Sequence, residues 1–305
     1  MSKFTIDKSH FITGEMMKKN TSNFAMILRE FKQDKGATFF LLLLLAMILF
    51  IYIDALFLNT KQVMHVDILN NYLRPGKDGH LLGTDQGGRD VFHYLILGTR
   101  NSLNIGFIVT LLVEVLGIMF GLAAGYYGGA VDNAMMRFLD FMMLLPMLML
   151  VIVIVSIIPH YTMVDFVLVV SAFLWVGTAR LIRSKTLSEA QKEYVYAAKT
   201  AGSSAFKIMV TDILPNISSL IIVDLILSLT ANIGIEVGLS FLGFGLPDSV
   251  PSLGVMIGAA QDPDVMLEAP WVWIPAVLVI LTLCVGISYI GNVVRRAFDA
   301  RQRLG

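Results

Sequence analysis

Charged residues make up only 15% of this 305-residue chain and hydrophobic residues 56%, whereas soluble domains carry roughly 25% charged residues. Together with a mean hydropathy of +0.73, this excludes a soluble domain and marks an integral membrane protein. The single cysteine, Cys284, stands inside an apolar run, so an intrachain disulfide and a cysteine-based metal cluster are excluded. No Gly-x-x-x-x-Gly-Lys-Ser/Thr loop is present, which removes that device for cradling nucleotide phosphates. His10, His65, His80, His93 and His160 lack a His-x-x-x-His spacing, and no nucleophile elbow or paired catalytic carboxylates stand out. The chain reads as a non-enzyme without a metal of its own.

What is present is apolar and helical in period. A helix needs about 20 mostly apolar residues to cross the hydrocarbon, and such stretches lie near 37–58, 102–126, 134–158, 163–182, 217–241 and 271–292. The expected fold is all-α, with six transmembrane helices and both termini on one side. Lys3, Lys8, Lys18, Lys19, Arg29, Lys32 and Lys35 make residues 1–36 read as a cytoplasmic tail, not a signal peptide. Arg295, Arg296, Arg301 and Arg303 put 293–305 on the same side. By contrast, 242–270 has no Lys or Arg and carries Asp248, Asp262, Asp264 and Glu268, as expected outside. The segment 59–101 is the other long outer connection.

Between two apolar stretches sits a polar island, 180–215, with Arg180, Arg183, Lys185, Lys192, Lys199 and Lys207. A loop between spans needs only a turn, so this much helix-forming sequence points to a docking surface for another protein. Glu193 to Ala201 reads as a helix ended by Gly202 in a left-handed cap. Ser203 or Ser204 then caps a second helix through Val210, and Leu214-Pro215 marks re-entry. Ala197 and Ala198 would let a partner backbone approach, and Tyr194 and Tyr196 offer anchors.

Ala197, Ala198, Gly202, Leu214 and Pro215 fall at the spacings of the EAA loop of ATP-binding-cassette importer permeases, which this island resembles. Tyr196 replaces the Glu of that motif's name, and Glu193 is the nearby carboxylate. His80-Leu81-Leu82-Gly83-Thr84-Asp85 with Gly88-Arg89-Asp90 is similar to the block before the second span in the oligopeptide, dipeptide and nickel permeases. Gly125-Tyr126-Tyr127-Gly128-Gly129 with Asp132, Arg137, Asp140 and Pro146, then Glu236 with Leu239 to Gly245, and Pro270-Trp271 with Pro275, resemble further blocks of that family.

The resemblance covers about residues 80 to 300 and implies the type I importer permease fold, with a core over 102–292 that holds a coupling loop at 183–215 and an outer loop at 242–270. It implies peptide uptake across a bacterial inner membrane, alongside a homologous permease, two cytoplasmic ATPases carrying ATP and Mg, and an extracytoplasmic substrate-binding protein. No nucleic acid is implied. The same architecture importing nickel, another metal chelate or glycan fragments is the alternative, and an ion-coupled secondary transporter a more remote one.

Gly83, Asp85, Arg89 and Asp90 read as an outer turn locked by charge-assisted hydrogen bonds, a scaffold before a substrate contact. Arg137 and Asp140, three apart on one face, read as a source of intrahelical or interhelical pairing. Glu114, Asp224 and Glu236 lie within spans, where a carboxyl group is costly; each either lines the translocation path or pairs with a partner subunit, or else is protonated or hydrogen-bonded to neighbouring helices. The abundant Met residues fit ordinary packing better than an adaptable lining.

Overall fold

The computed structural model describes residues 23–247 and 249–304. Lys3, Lys8, His10, Lys18, Lys19 and Asp248 lie outside these, as do the side chains of Arg301 and Arg303. Helices α1 (Asn23–Gln33) and α2 (Lys35–Phe57) meet at Asp34, whose carboxylate accepts the Ala37 N–H at 3.1 Å and so caps α2. The expected tail over 1–36 therefore contains a helix. Short α3 (Thr60–Val63) begins the outer segment, capped by Asn59.

The next helix, α4 (Val91–Tyr127), starts well before the expected 102. The Asp90 carboxylate caps it by accepting the His93 N–H at 2.9 Å, so the amphipathic lead-in and the span form one rod. At 37 residues the rod is about 55 Å long, more than a hydrocarbon core of about 30 Å requires. Helices α5 (Gly129–Leu144) and α6 (Met147–Ile157) stand where one span over 134–158 was expected, and they bend by 74° between them. Pro146, which cannot donate a backbone hydrogen bond, sits in the break.

Thr162 and Asp165 form a capping box for α7 (Met163–Glu189). Helices α8 (Glu193–Thr200) and α9 (Ala205–Lys207) follow, and a π-helical turn, Ile208–Ile213, joins α9 to α10 (Leu214–Phe241). The outer loop carries α11 (Leu253–Gly258) and α12 (Pro263–Glu268) before α13 (Ile274–Leu304), which extends through the expected tail. Among the described residues five helices are long and apolar enough to cross a membrane, six if the bent α5–α6 pair counts as one span. The architecture is a multi-pass helical bundle, as expected.

Its central contact is between α4 and α7. A Cβ on Gly117 would stand 2.5 Å from Thr178 Cγ2, one on Gly121 2.7 Å from the Ala179 carbonyl oxygen, and one on Gly125 2.6 Å from Thr186 Cβ. Three glycines four residues apart thus strip one face of α4 so that the backbones nearly touch, the close packing that drives helix association where lipid competes for apolar surface. At the end of the bundle that carries α8, Arg183 of α7 grips Asp132 of α5, with Nε 2.6 Å from Oδ1. Asp140 pairs with Arg180 across the same helices, which realises the interhelical choice and leaves Arg137 out of that pair.

Candidate functional site

On the side of the termini, the end of α7 carries Glu189, 2% exposed. A buried carboxylate must be compensated, and three groups do so: Tyr194 Oη donates at 3.0 Å, Lys192 Nζ stands at 2.8 Å and Lys185 Nζ at 3.7 Å. Tyr194 consequently turns inward, also meeting Asn216 of α10. Burial, and then its hydrogen bond to Glu189, push its phenol up to about 12. Below them Val195, Ile208, Ile213 and Ile217 pack on Leu122 of α4 and Ile182 of α7 in one buried cluster. Lys199 lies over the Tyr126 ring at the end of α4, 4.8 Å from its centroid.

Helix α8 ends as its sequence requires. Gly202 has φ +79°, and its N–H donates to the Lys199 carbonyl at 3.0 Å while the Ser203 N–H donates to that of Ala198 at 3.1 Å. These are the paired bonds of a Schellman ending. Ser204, not Ser203, caps the next helix by accepting the Lys207 N–H at 3.3 Å. That helix does not stop at Val210 as expected but runs through Ala205–Phe241 without a break. Pro215 has no N–H, and the π turn ahead of it lets the Leu214 N–H reach the Met209 carbonyl instead.

The island is therefore one unit with two faces. Glu193, Ala197, Gly202 and Pro215 are exposed, whereas Tyr194, Ala198 and Leu214 pack inward. Of the two expected aromatic anchors only Tyr196 projects, 56% exposed, and Phe206 at 73% joins it. Glu189 and Phe206 had not been singled out from sequence. Charged neighbours three and four residues away hinted at the first, and position just behind a cap at the second.

At the opposite end, Asp85 accepts the N–H groups of Gly87 and Arg89 at 2.8 and 3.0 Å and the Arg89 Nε at 2.7 Å. His80 Nδ1 lies 2.6 Å from the Asp90 carboxylate. Gly83 and Gly88 have φ of +75° and +71°, and a Cβ would meet the carbonyl oxygens of Leu73 and Asp67 at 2.3 and 1.9 Å. The knot bonds mainly to itself. Beside it opens a cavity of about 430 Å³ between the two outer segments, lined by Tyr72, Arg89, Tyr94, Met256, Gln261 and Asp262 among others. Burial, then the nearby Asp262 and Asp85, raise the Tyr72 phenol above its ordinary value.

The three carboxyl groups of the spans do not form one site. Glu114 of α4, 2% exposed, faces Asp224 of α10, which accepts the Thr178 hydroxyl at 3.0 Å. Asp224 keeps partial exposure on the isolated chain. Glu236, 1% exposed, lies apart near the outer end of α10 beside Ser240 and Ser102.

Comparison with known proteins adds independent findings. The profile of the family described as binding-protein-dependent transport system inner membrane component matches residues 117–304. Over 291 residues the chain is 46% identical to the oligopeptide transport system permease protein OppC of Lactococcus lactis subsp. lactis (strain IL1403), spanning 95% of this chain and 99% of that relative. It is 36% identical over 277 residues to the dipeptide transport system permease protein DppC of Haemophilus influenzae, spanning 89% and 92%. To DppC of Bacillus subtilis (strain 168) it is 34% identical over 265 residues, spanning 85% and 81%.

Proposed function

The chain belongs to the binding-protein-dependent transport system inner membrane components, and from that premise we propose that it is the permease subunit of an ATP-driven peptide importer in a bacterial inner membrane. The names of its oligopeptide and dipeptide relatives support peptides over nickel, other metal chelates or glycan fragments. In this reading it forms half of the translocation path with a homologous permease. Two cytoplasmic ATPases bind ATP and Mg and supply the free energy of hydrolysis, and an extracytoplasmic binding protein delivers the cargo. The basic residues of the 180–215 island and of the last turns of α13 support a cytoplasmic side for both termini.

One observation carries the coupling role. The exposed face of α8, Gly202 and Phe206 stands on a base fastened to three spans at once: Glu189 and Ile182 of α7, Tyr126 and Leu122 of α4, and α10 by direct continuity. We assign that face, with Glu193, Tyr196 and Ala197, to the ATPase. Closure of the ATPases displaces the face, and its stiff base passes the displacement to all three helices together, so the spans rock between inward-open and outward-open. With Tyr196 in place of Glu, the contact rests on shape and aromatic burial more than on charge.

A path between two permeases is lined by side chains exposed on the isolated chain. Asp224, partly exposed on the isolated chain, meets that condition and is the path residue we propose; Glu114 is buried beside it. Gly83, Asp85, Arg89 and Asp90 serve as outer scaffold. Replacing Gly202 by Asp tests the reading: peptide uptake falls to background while the protein still reaches the membrane, and full transport by that variant contradicts it.

A further inference from the structure

At 245–246 and again at 251–254 the chain lies back against the bundle, and the seat it takes is specific. A Cβ on Gly245 would lie 2.0 Å from Ser240 Oγ, and one on Gly254 2.4 Å from the Val237 carbonyl oxygen. The backbone at both glycines is pressed onto the last turns of α10. From α4, Asn101 Nδ2 donates to the Pro251 carbonyl at 2.9 Å, and a Cβ on Gly98 would lie 3.1 Å from the Ser252 carbonyl carbon. Leu246, Ser252 and Leu253 are buried there.

Under this seat lies Glu236. The Ser240 hydroxyl donates to Glu236 Oε1 at 2.8 Å and accepts the Leu246 N–H at 3.2 Å. The Ser102 hydroxyl, from α4, lies beside the same carboxyl group and accepts the Leu253 N–H at 3.3 Å. A hydroxyl has one hydrogen to give and two lone pairs to receive. Aiming its hydrogen at the carboxyl group leaves the Ser240 oxygen facing the returning backbone at Leu246.

We propose that Glu236 is a positioning residue: through Ser240 it latches the outer return segment to α10 at Leu246, beside the point where Ser102 of α4 holds Leu253. That segment leads into Val255, Met256, Gly258 and Ala259, which line the outer cavity opposite Tyr72 and Arg89. The latch therefore sets how far the cavity's two walls stand apart. Glu236 itself touches no cargo, being enclosed on all sides by this chain.

The consequence for transport rests on the importer reading, but the latch is measurable without it. Purified full-length protein and its Glu236→Ala, Glu236→Gln and Ser240→Ala variants are compared by hydrogen exchange over 242–258. Exchange there should rise at least tenfold in Glu236→Ala, rise less in Ser240→Ala, and return toward wild type in Glu236→Gln, which keeps an acceptor at Oε1. Exchange over 193–215 should not change. If Glu236→Ala fails to accumulate, Ser240→Ala reads the same segment with the carboxyl group intact. In peptide uptake the Gln variant should keep the wild-type ratio between lysine-containing and aspartate-containing peptides. Wild-type exchange over 242–258 in both the Ala variants, or a changed peptide ratio in Glu236→Gln, overturns the proposal.

Discussion

Tyr194 donates its phenol hydrogen to the buried Glu189 carboxylate at 3.0 Å, tying α8 to the end of the span before it. A hydrogen bond to a charged group contributes roughly 1.5–3 kcal/mol. Tyr194→Phe removes it while the two lysines remain. The expected result is near-normal membrane level, a lower unfolding temperature in detergent and uptake reduced severalfold. Because the Tyr194 phenol is raised to about 12, above a free value of about 10, its contribution is complete below pH 10 and is lost as pH rises through 12. A phenolate absorbance titration of wild type minus Tyr194→Phe should isolate that late step.

Gly202 separates conformation from contact. Its φ of +79° lies in the left-handed region, yet an added Cβ would meet nothing within 4 Å. An alanine there strains the backbone by about 1 kcal/mol without a clash inside the chain. Gly202→Ala should fold and lose little thermal stability, whereas Gly202→Asp should fold and fail to transport because its side chain projects into the partner. Loss of the folded protein in both variants would move the effect from the interface to the turn.

The α4–α7 contact leaves no such room. Gly121→Val would press carbon onto the Ala179 carbonyl oxygen and Ile182 Cβ, both at 2.7 Å from the added Cβ, and overpacking typically costs 1–3 kcal/mol. Membrane level should fall. Gly177→Ala, on a face with nothing within 4 Å, should be neutral or slightly stabilising and serves as control.

Asp34 joins the two ends of the chain. Its carboxylate caps α2, accepts the Tyr289 hydroxyl at 2.9 Å and pairs with Arg296 at 2.6 Å. The Ala37 N–H first, then Tyr289 and Arg296, hold it below the usual carboxylate value. A lowered folded value means the contribution is present above the unfolded value of about 3.9 and is lost as pH falls through the folded one. Thermal unfolding between pH 7 and 3.5 should show a smaller acid loss for Asp34→Asn than for wild type.

Much of this was legible in residue order, and the remainder fails for physical reasons. Gly202 reads as a left-handed cap because few other residues suit that backbone, and the spans read from apolar length. The early start of α4 was hidden because residues 91–101 are amphipathic, and only the Asp90 cap marks where the helix begins. The break at Pro146 lies within an apolar window that counts as one span whether straight or bent. Glu189 sits in a polar stretch where composition cannot separate a solvated carboxylate from a buried one. Glu236 looked like a candidate for cargo because any carboxyl group in a span does, and only the fold brings Ser102, 134 positions away (236 − 102), to its side.

The central claim is that the 193–215 unit transmits ATPase motion to the spans through a fastened base. The most direct measurement is peptide uptake against ATP in vesicles holding this chain with its partner permease, ATPases and binding protein, for wild type and for Tyr196→Ala/Phe206→Ala. Wild type should take up peptide in an ATP-dependent way, and the double variant should lose both uptake and ATPase co-purification. Wild-type uptake by the double variant, or uptake that proceeds without ATP, would contradict it.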